Sequence, residues 1–224
     1  MPSLSIIVPT LHEVHRIPGL AGHLRACAPG AQVIIVDGGS EDGTAEEARR
    51  EGLEIIERAP GRAHQMNQGV WEATGDHLLF LHADTRLPER AEELVAATLA
   101  DPSVALGAFA FRFAERGRRL AFVEAGARLR SAIRPTPYGD QCLFLRRETF
   151  NQLDGFGDLP AMEDFDLVER ARALGSIRVL DEEAVTSARR YLDRGPLRLM
   201  LRHWWLSFRF LRGWRPGPQD RVRR

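Results

Sequence analysis

Carboxylates recur at positions where chain direction brings them to one rim. Asp37 closes "AQVIIVD", Asp84 closes "DHLLFLHAD", and Glu163 and Asp164 open "MEDFDLVERAR". The first two segments are apolar runs that stop at charge, the pattern of buried strands whose carboxyl ends reach the surface, where open α/β sheets place ligands. Acids gathered on such a rim coordinate a hard divalent cation, and a cation there holds a diphosphate. The Glu163-Asp164 pair lies at a helix start, whose positive end keeps a carboxylate ionised, as a general base toward an acceptor hydroxyl must be.

Plainer readings stand beside these. Asp37 precedes Gly38-Gly39-Ser40, ordinary turn chemistry, and Asp84 with Thr85 and Pro88 suits a turn leading to a helix. His82 is either a metal ligand or a packed, hydrogen-bonded imidazole. Arg62, in "PGRAHQMNQG", begins a helix and so meets an anion there or lies solvated. Arg189 and Arg190 in "SARRY" bind phosphate or sit on an exposed loop. Asp42 is read as serving the helix behind it.

The elements that position these groups follow from the pattern. "LSIIVPT", "AQVIIVD", "LEIIERA" and "DHLLFLHAD" read as strands, with helices from near Thr44 and over "AHQMNQGVWEAT" between them, the order of a nucleotide-binding half with a parallel sheet. "RLPERAEELVAATLADP" is a helix with Pro88 in its first turn. "VALGAFAFRFA" alternates like a strand with one exposed face. A helix from Glu115 to Ile133, a loop "RPTPYGD", a strand "QCLFLRR", a helix and the turn "DGFGDLP" precede the acid-opened helix, and "SIRVLDEEAVTSARRY" is a strand plus a loop. The expected fold class is α/β: one Rossmann-like nucleotide-binding domain over 1–215 with a mixed, mostly parallel sheet and a C-terminal acceptor-side extension. Residues 1–100 form the nucleotide-binding half, 101–192 the acceptor half, 193–215 a basic aromatic helix, and 216–224 a disordered tail.

Composition narrows the classes. All 31 cations are arginine, balanced by 31 acids, so the chain has no P-loop lysine and lacks the basic bias of a dedicated nucleic-acid binder. Cys27 and Cys142 give no disulfide framework or zinc pattern. No signal peptide or stretch of about 18 apolar residues is visible, and the expectation is a soluble or peripheral protein of the cytoplasm, at most peripheral at the inner face of the membrane.

Taken together, "SIIVPTLHE", "VDGGSEDGT", "GRAHQMNQG", "LFLHADT", "YGDQCLFLRRETFNQLDGF" and "MEDFDLVERAR", in that order from residue 3 to about 191, resemble glycosyltransferase family 2, whose members have the GT-A fold. "FLHADT", "YGDQ" and "SARRY" are similar to its small bacterial subfamily associated with selenium or arsenosugar gene neighbourhoods. The resemblance implies inverting transfer of a sugar from a nucleotide-diphosphate donor, assisted by Mn²⁺ or Mg²⁺. By motif match Pro9, Thr10 and Glu13 line the nucleotide pocket, Asp37 hydrogen-bonds the base, which favours a UDP-sugar, and Arg62 sits beside base or phosphates. Asp84 matches the last acid of the Asp-x-Asp metal motif, and Asp164 the general base. The sequence departs where His82 replaces the first aspartate of that motif and Gly38 a frequent second acid after Asp37.

The acceptor, a small molecule or a lipid, is expected against residues 115–140, with Tyr138, Asp140, Gln141 and Glu163 as polar candidates and Arg189 for phosphate. In "RGPLRLMLRHWWLSFRFLRGW", Arg194, Arg198, Arg202, Arg209 and Arg212 fall within about 80° of helix circumference, so residues 194–214 suit a membrane surface, self-association, or docking on the chain's own core with arginines in solvent. Two other classes compete: a nucleotidyltransferase of similar topology, and a non-catalytic module binding a sugar nucleotide or a membrane.

Overall fold

The computed structural model describes residues 3–217; the tail expectation for 218–224 lies outside the described residues. In chain order the elements are β1 (Leu4–Thr10), α1 (Ile17–Cys27), β2 (Gln32–Asp37), α2 (Thr44–Arg50), β3 (Glu54–Glu57), α3 (Arg62–Glu72), β4 (His77–Phe80), β5 (Thr85–Arg86), α4 (Ala91–Leu99), β6 (Val104–Phe113), α5 (Arg118–Ile133), β7 (Phe144–Arg146), α6 (Arg147–Gln152), α7 (Glu163–Ala171), β8 (Ser176–Thr186), α8 (Arg189–Arg194) and α9 (Pro196–Leu211).

All eight strands join one sheet ordered β3-β2-β1-β4-β7-β6-β8-β5. β1 pairs in parallel with β2 and β4, β2 with β3, and β6 with β8, while β7 and β5 run antiparallel to their neighbours. Every residue of β1 is buried, as both-face covering by crossover helices requires. Alternation along it feeds two cores. Ile6 and Val8 pack with Leu20, Leu24, Val95 and Leu99 from α1 and α4, and Ile7 packs with Met66, Val70, Phe150 and Leu167 from α3, α6 and α7. The carboxyl ends of β1, β2 and β4 thus open onto one edge of the sheet, at the switch point between β1 and β4.

The structure corrects three expectations and adds a strand. β6 has no exposed face: it lies between β7 and β8 and is buried along most of its length. Large and small apolar residues alternate over 104–107 and again, in the opposite phase, over 108–111, the phase changing where the pairing to β8 is irregular, which fits a covered central strand. Gly107 shows the need for a small residue, since a Cβ there would come within 2.2 Å of the Phe144 ring. Pro88 precedes α4 instead of entering its first turn; Arg90, at φ 58°, caps the helix. The segment after β8 winds into α8 where a loop was expected. β5, two residues long, carries no periodicity to read, yet it ties the "HAD" segment to β8 through Thr85 and Thr186, whose hydroxyls are 2.9 Å apart.

α9 docks through Leu199, Met200 and Phe210, all buried, with the Phe210 ring 5.4 Å from Phe165 on α7. Among the described residues no helix is long and apolar enough to cross a membrane.

Candidate functional site

Arg62, His82, Asp84 and Asp164, expected from sequence to do chemistry or bind anions, line one cavity of about 130 Å³ with the acceptor-side candidates Tyr138 and Asp140. They arrive from separate elements. Arg62 is the first residue of α3, His82 and Asp84 follow β4, Tyr138 and Asp140 belong to a 3-10 turn before β7, and Asp164 is in the first turn of α7. The far wall is Arg190 and Tyr191 from α8 and Arg202, His203 and Leu206 from α9.

Local structure aims the acids. Met162, at φ 64°, holds a left-handed conformation that side-chain-bearing residues rarely adopt and sets the start of α7. Asp164 Oδ2 then accepts the Gly139 N–H at 2.7 Å and Oδ1 its neighbour Phe165 N–H at 2.8 Å. A Cβ on Gly139 would stand 3.1 Å from both Asp164 Oδ2 and His82 Nε2, so the missing side chain leaves the space between carboxylate and imidazole open. The Asp84 carbonyl accepts the Ser187 N–H at 3.2 Å, fixing this segment to the end of β8.

The charge states follow from the surroundings. Burial opposes ionisation of Asp164, but the Arg62 guanidinium and the two N–H donors prevail and hold its carboxyl below the usual range. Burial, aided by Arg62 and opposed by Asp84 and Asp164, depresses His82 to about 4. Burial lifts Asp140 to about 6 against the pull of Arg130. At neutral pH the cavity therefore presents an ionised Asp164 and a neutral imidazole at His82, the form that ligates metal.

These residues fit a divalent cation in part. Among the described residues no group of three or more His, Cys, Asp or Glu is arranged to hold a metal, so Asp84 and His82 supply two ligands at most. Mg²⁺ and Mn²⁺ commonly take one or two protein ligands and complete their shell with substrate phosphates and water. The pair suits an ion that arrives with a diphosphate.

Other expected residues lie elsewhere. Pro9, Thr10, Glu13 and Asp37 cluster at the ends of β1 and β2 outside the cavity. Both Asp37 oxygens are engaged there: they accept from the Thr10 hydroxyl (3.0 Å), the Gly39 and Ser40 N–H groups (3.0 and 2.7 Å) and the Ser40 hydroxyl (2.6 Å). Glu13 pairs with Arg16. Beneath Gly38 the buried Gln65 amide donates to the carbonyls of Thr10 (2.9 Å) and Val36 (2.7 Å), joining this cluster to α3. Glu163 is buried and ion-paired to Arg62 across 101 residues of sequence. Gln141 likewise turns inward, donating to the Phe109 carbonyl at 2.9 Å. Neither lines the cavity. Of the arginine pair, Arg190 reaches the cavity and Arg189 is exposed outside it, as successive helical positions about 100° apart dictate. Tyr191 and His203 were not singled out from sequence; only the docking of α8 and α9 brings them in.

A sheet of this order, with acids at its strand ends and an acid-opened helix across from them, defines a GT-A fold. The family model for Glycosyl transferase family 2 matches residues 5–150, and the chain belongs to that family. Solved structures of similar fold include the mannosyltransferase PcManGT from Pyrobaculum calidifontis in complex with GDP-Man and Mn²⁺ (TM-score 0.70, 21% identity, covering 98% of this chain and 67% of that one). Another is glucosyl-3-phosphoglycerate synthase from Mycobacterium tuberculosis in complex with Mn²⁺ and UDP-glucose (TM-score 0.61, 18% identity, 83% and 71%). A curated relative, the PGL/p-HBAD biosynthesis glycosyltransferase of Mycobacterium bovis, is 36% identical over 96 residues, which span 39% of this chain and 38% of that protein.

Proposed function

We propose that the protein transfers a sugar, with inversion, from a nucleoside-diphosphate donor to a hydroxyl of a small-molecule or lipid acceptor. The observation that carries this reading is the convergence of Asp84, His82, Asp164, Arg62 and Arg190 on one cavity. Asp164, ionised at neutral pH, takes the proton from the acceptor hydroxyl as it attacks the anomeric carbon. Arg62 and Arg190 stabilise the charge that grows on the departing diphosphate. Asp84 and His82 would hold a Mn²⁺ or Mg²⁺ ion, which supplies further neutralisation of that leaving group. Pro9, Thr10, Glu13 and Asp37 form the nucleotide wall, with the base expected to be uracil; residues 1–100 then serve the donor and 101–192 the acceptor, at Tyr138 and Asp140. A cytoplasmic placement belongs to the same proposal.

Calorimetric titration of UDP and GDP, with and without Mn²⁺, tests the donor site: metal-dependent binding is expected and should be lost in Asp84→Ala. Asp164→Asn should keep nucleotide binding and lose turnover by a factor of about 100 or more. Absence of binding for both nucleotides, or undiminished turnover in Asp164→Asn, refutes the assignment.

A further inference from the structure

Large apolar side chains left exposed among the described residues concentrate on two helices, three on α5 and six on α9. On α5 they are Phe122, Leu129 and Ile133, the last 77% exposed, at a spacing that puts them on one side. On α9 the stripe runs through Leu197, Leu201, Trp204 and Phe208, with Trp205 beside it. This face is not a misplaced core face, because α9 already buries Leu199 and Phe210 on its opposite side and Met200 against α5, and is pinned by the Tyr138 hydroxyl 2.7 Å from Ser207 Oγ.

The two stripes form one surface. Gly126 lets the helices approach: a Cβ there would lie 3.3 Å from Met200 Sδ and 3.6 Å from Trp204 Cζ2. Trp204 therefore rests on α5. Monomeric proteins rarely leave a large contiguous apolar patch in water.

Charge says what covers it. The chain as a whole is neutral, but residues 195–217 contain Arg198, Arg202, Arg209, Arg212 and Arg215 and no acid, and the single acid of α5, Glu124, is buried on the Phe113 N–H. Arg118, Arg119 and Arg128 on α5 are exposed. A second copy packed face to face would oppose arginine with arginine and no carboxylate between them, which disfavours it. An anionic lipid surface complements both features, with aromatic rings at headgroup depth and guanidinium groups on phosphates.

We infer that the joined outer faces of α5 and α9 dock on an anionic phospholipid bilayer. The inference rests on this surface alone and stands or falls apart from the sugar-transfer reading. The test is co-sedimentation of the full chain with vesicles of phosphatidylcholine alone and of phosphatidylcholine mixed with phosphatidylglycerol. Binding is expected on the mixed vesicles, weakening with salt. The partition coefficient should fall about ten-fold or more on neutral vesicles, in Trp205→Glu/Phe208→Glu, and in Ile133→Glu on the other helix. Far-ultraviolet circular dichroism verifies that each variant is folded; should one unfold, the variant on the other helix is read in its place. No binding to mixed vesicles, or variants that bind as the wild type does, overturns the inference. So does a dimer in solution that ignores vesicles and dissociates in Trp205→Glu/Phe208→Glu.

Discussion

His203 offers a measurement of the electrostatics of the cavity wall that needs no substrate. It stands on α9 with Nδ1 3.4 Å from the Tyr191 hydroxyl and its ring 6.0 Å from that of Tyr138. Burial is the main cause that lowers its pKa, Asp164 opposes, and Arg190, Arg202 and Arg130 reinforce, leaving a value of about 4 against the ordinary 6.5. A group depressed in the fold contributes stability that is complete above its unfolded value and lost as pH falls through its folded one. For His203 the window is therefore pH 6.5 down to about 4. At about 1.4 kcal/mol per tenfold change, the loss between pH 7 and pH 5 comes to about 2 kcal/mol. His203→Gln removes the titration and leaves every other group in place. Urea unfolding of both proteins at pH 7, 6 and 5 should show the wild type losing about 2 kcal/mol more than the variant over that span, a difference of about 4 to 8 °C in Tm for a chain of this size. Parallel stability curves would falsify the premise that this imidazole is held neutral by burial among cations.

Further expectations follow from other parts of the structure. Glu163→Gln deprives Arg62 of the partner that ties α3 to α7, and should cost about 3 kcal/mol by thermal or urea unfolding, the lower end of the range for a broken buried pair because Arg62 is partly exposed; an unchanged midpoint contradicts it. His82→Asp places a second carboxylate beside Asp84, so Mn²⁺ affinity in the presence of UDP should rise about tenfold by calorimetry, and equal or weaker binding counts against a metal at this pair. Gly107→Ala forces a methyl group into the Phe144 ring and should destabilise by about 3 kcal/mol or more, read in the same unfolding assay.

The succession of strands in the first hundred residues is legible because each apolar run gives way to polar or acidic residues before the next element. β6 misleads because its residues from Val104 to Phe111 are all apolar, so the local alternation of large and small marks size instead of exposure. The site splits along a similar line. Asp84, His82, Asp164 and Arg62 stand at element ends, where position alone implies convergence, and the cavity holds all four. The inward turn of Gln141 and Glu163 depends on partners 32 and 101 residues away, which no local pattern encodes. Tyr191 and His203 enter only because α8 and α9 fold back over the sheet edge. Asp37 admits two readings, turn residue and base acceptor: its four hydrogen bonds belong to the first, and the second stands as part of the proposed donor site.

α9 carries three requirements at once, and helix geometry separates them. At about 100° per residue, Leu199, His203, Leu206 and Phe210 share the side that packs on the body and the cavity, while Leu197, Leu201, Trp204 and Phe208 share the outer side. Arg198, Arg202 and Arg209 fall between, at the seam on one flank. Arg202 lines the cavity, so the row of cations that would meet lipid phosphates continues into the site. An acceptor held in a bilayer by its own apolar tail would then present its polar head along that row, and one helix would serve both surface and site. The two proposals still make separable demands. Trp205 and Phe208 do not line the cavity, so their replacement bears on the bilayer; Asp164 lies away from the outer face, so its replacement bears on the chemistry. A substrate soluble in water should depend on Asp164 alone, whereas one confined to vesicles should depend on both.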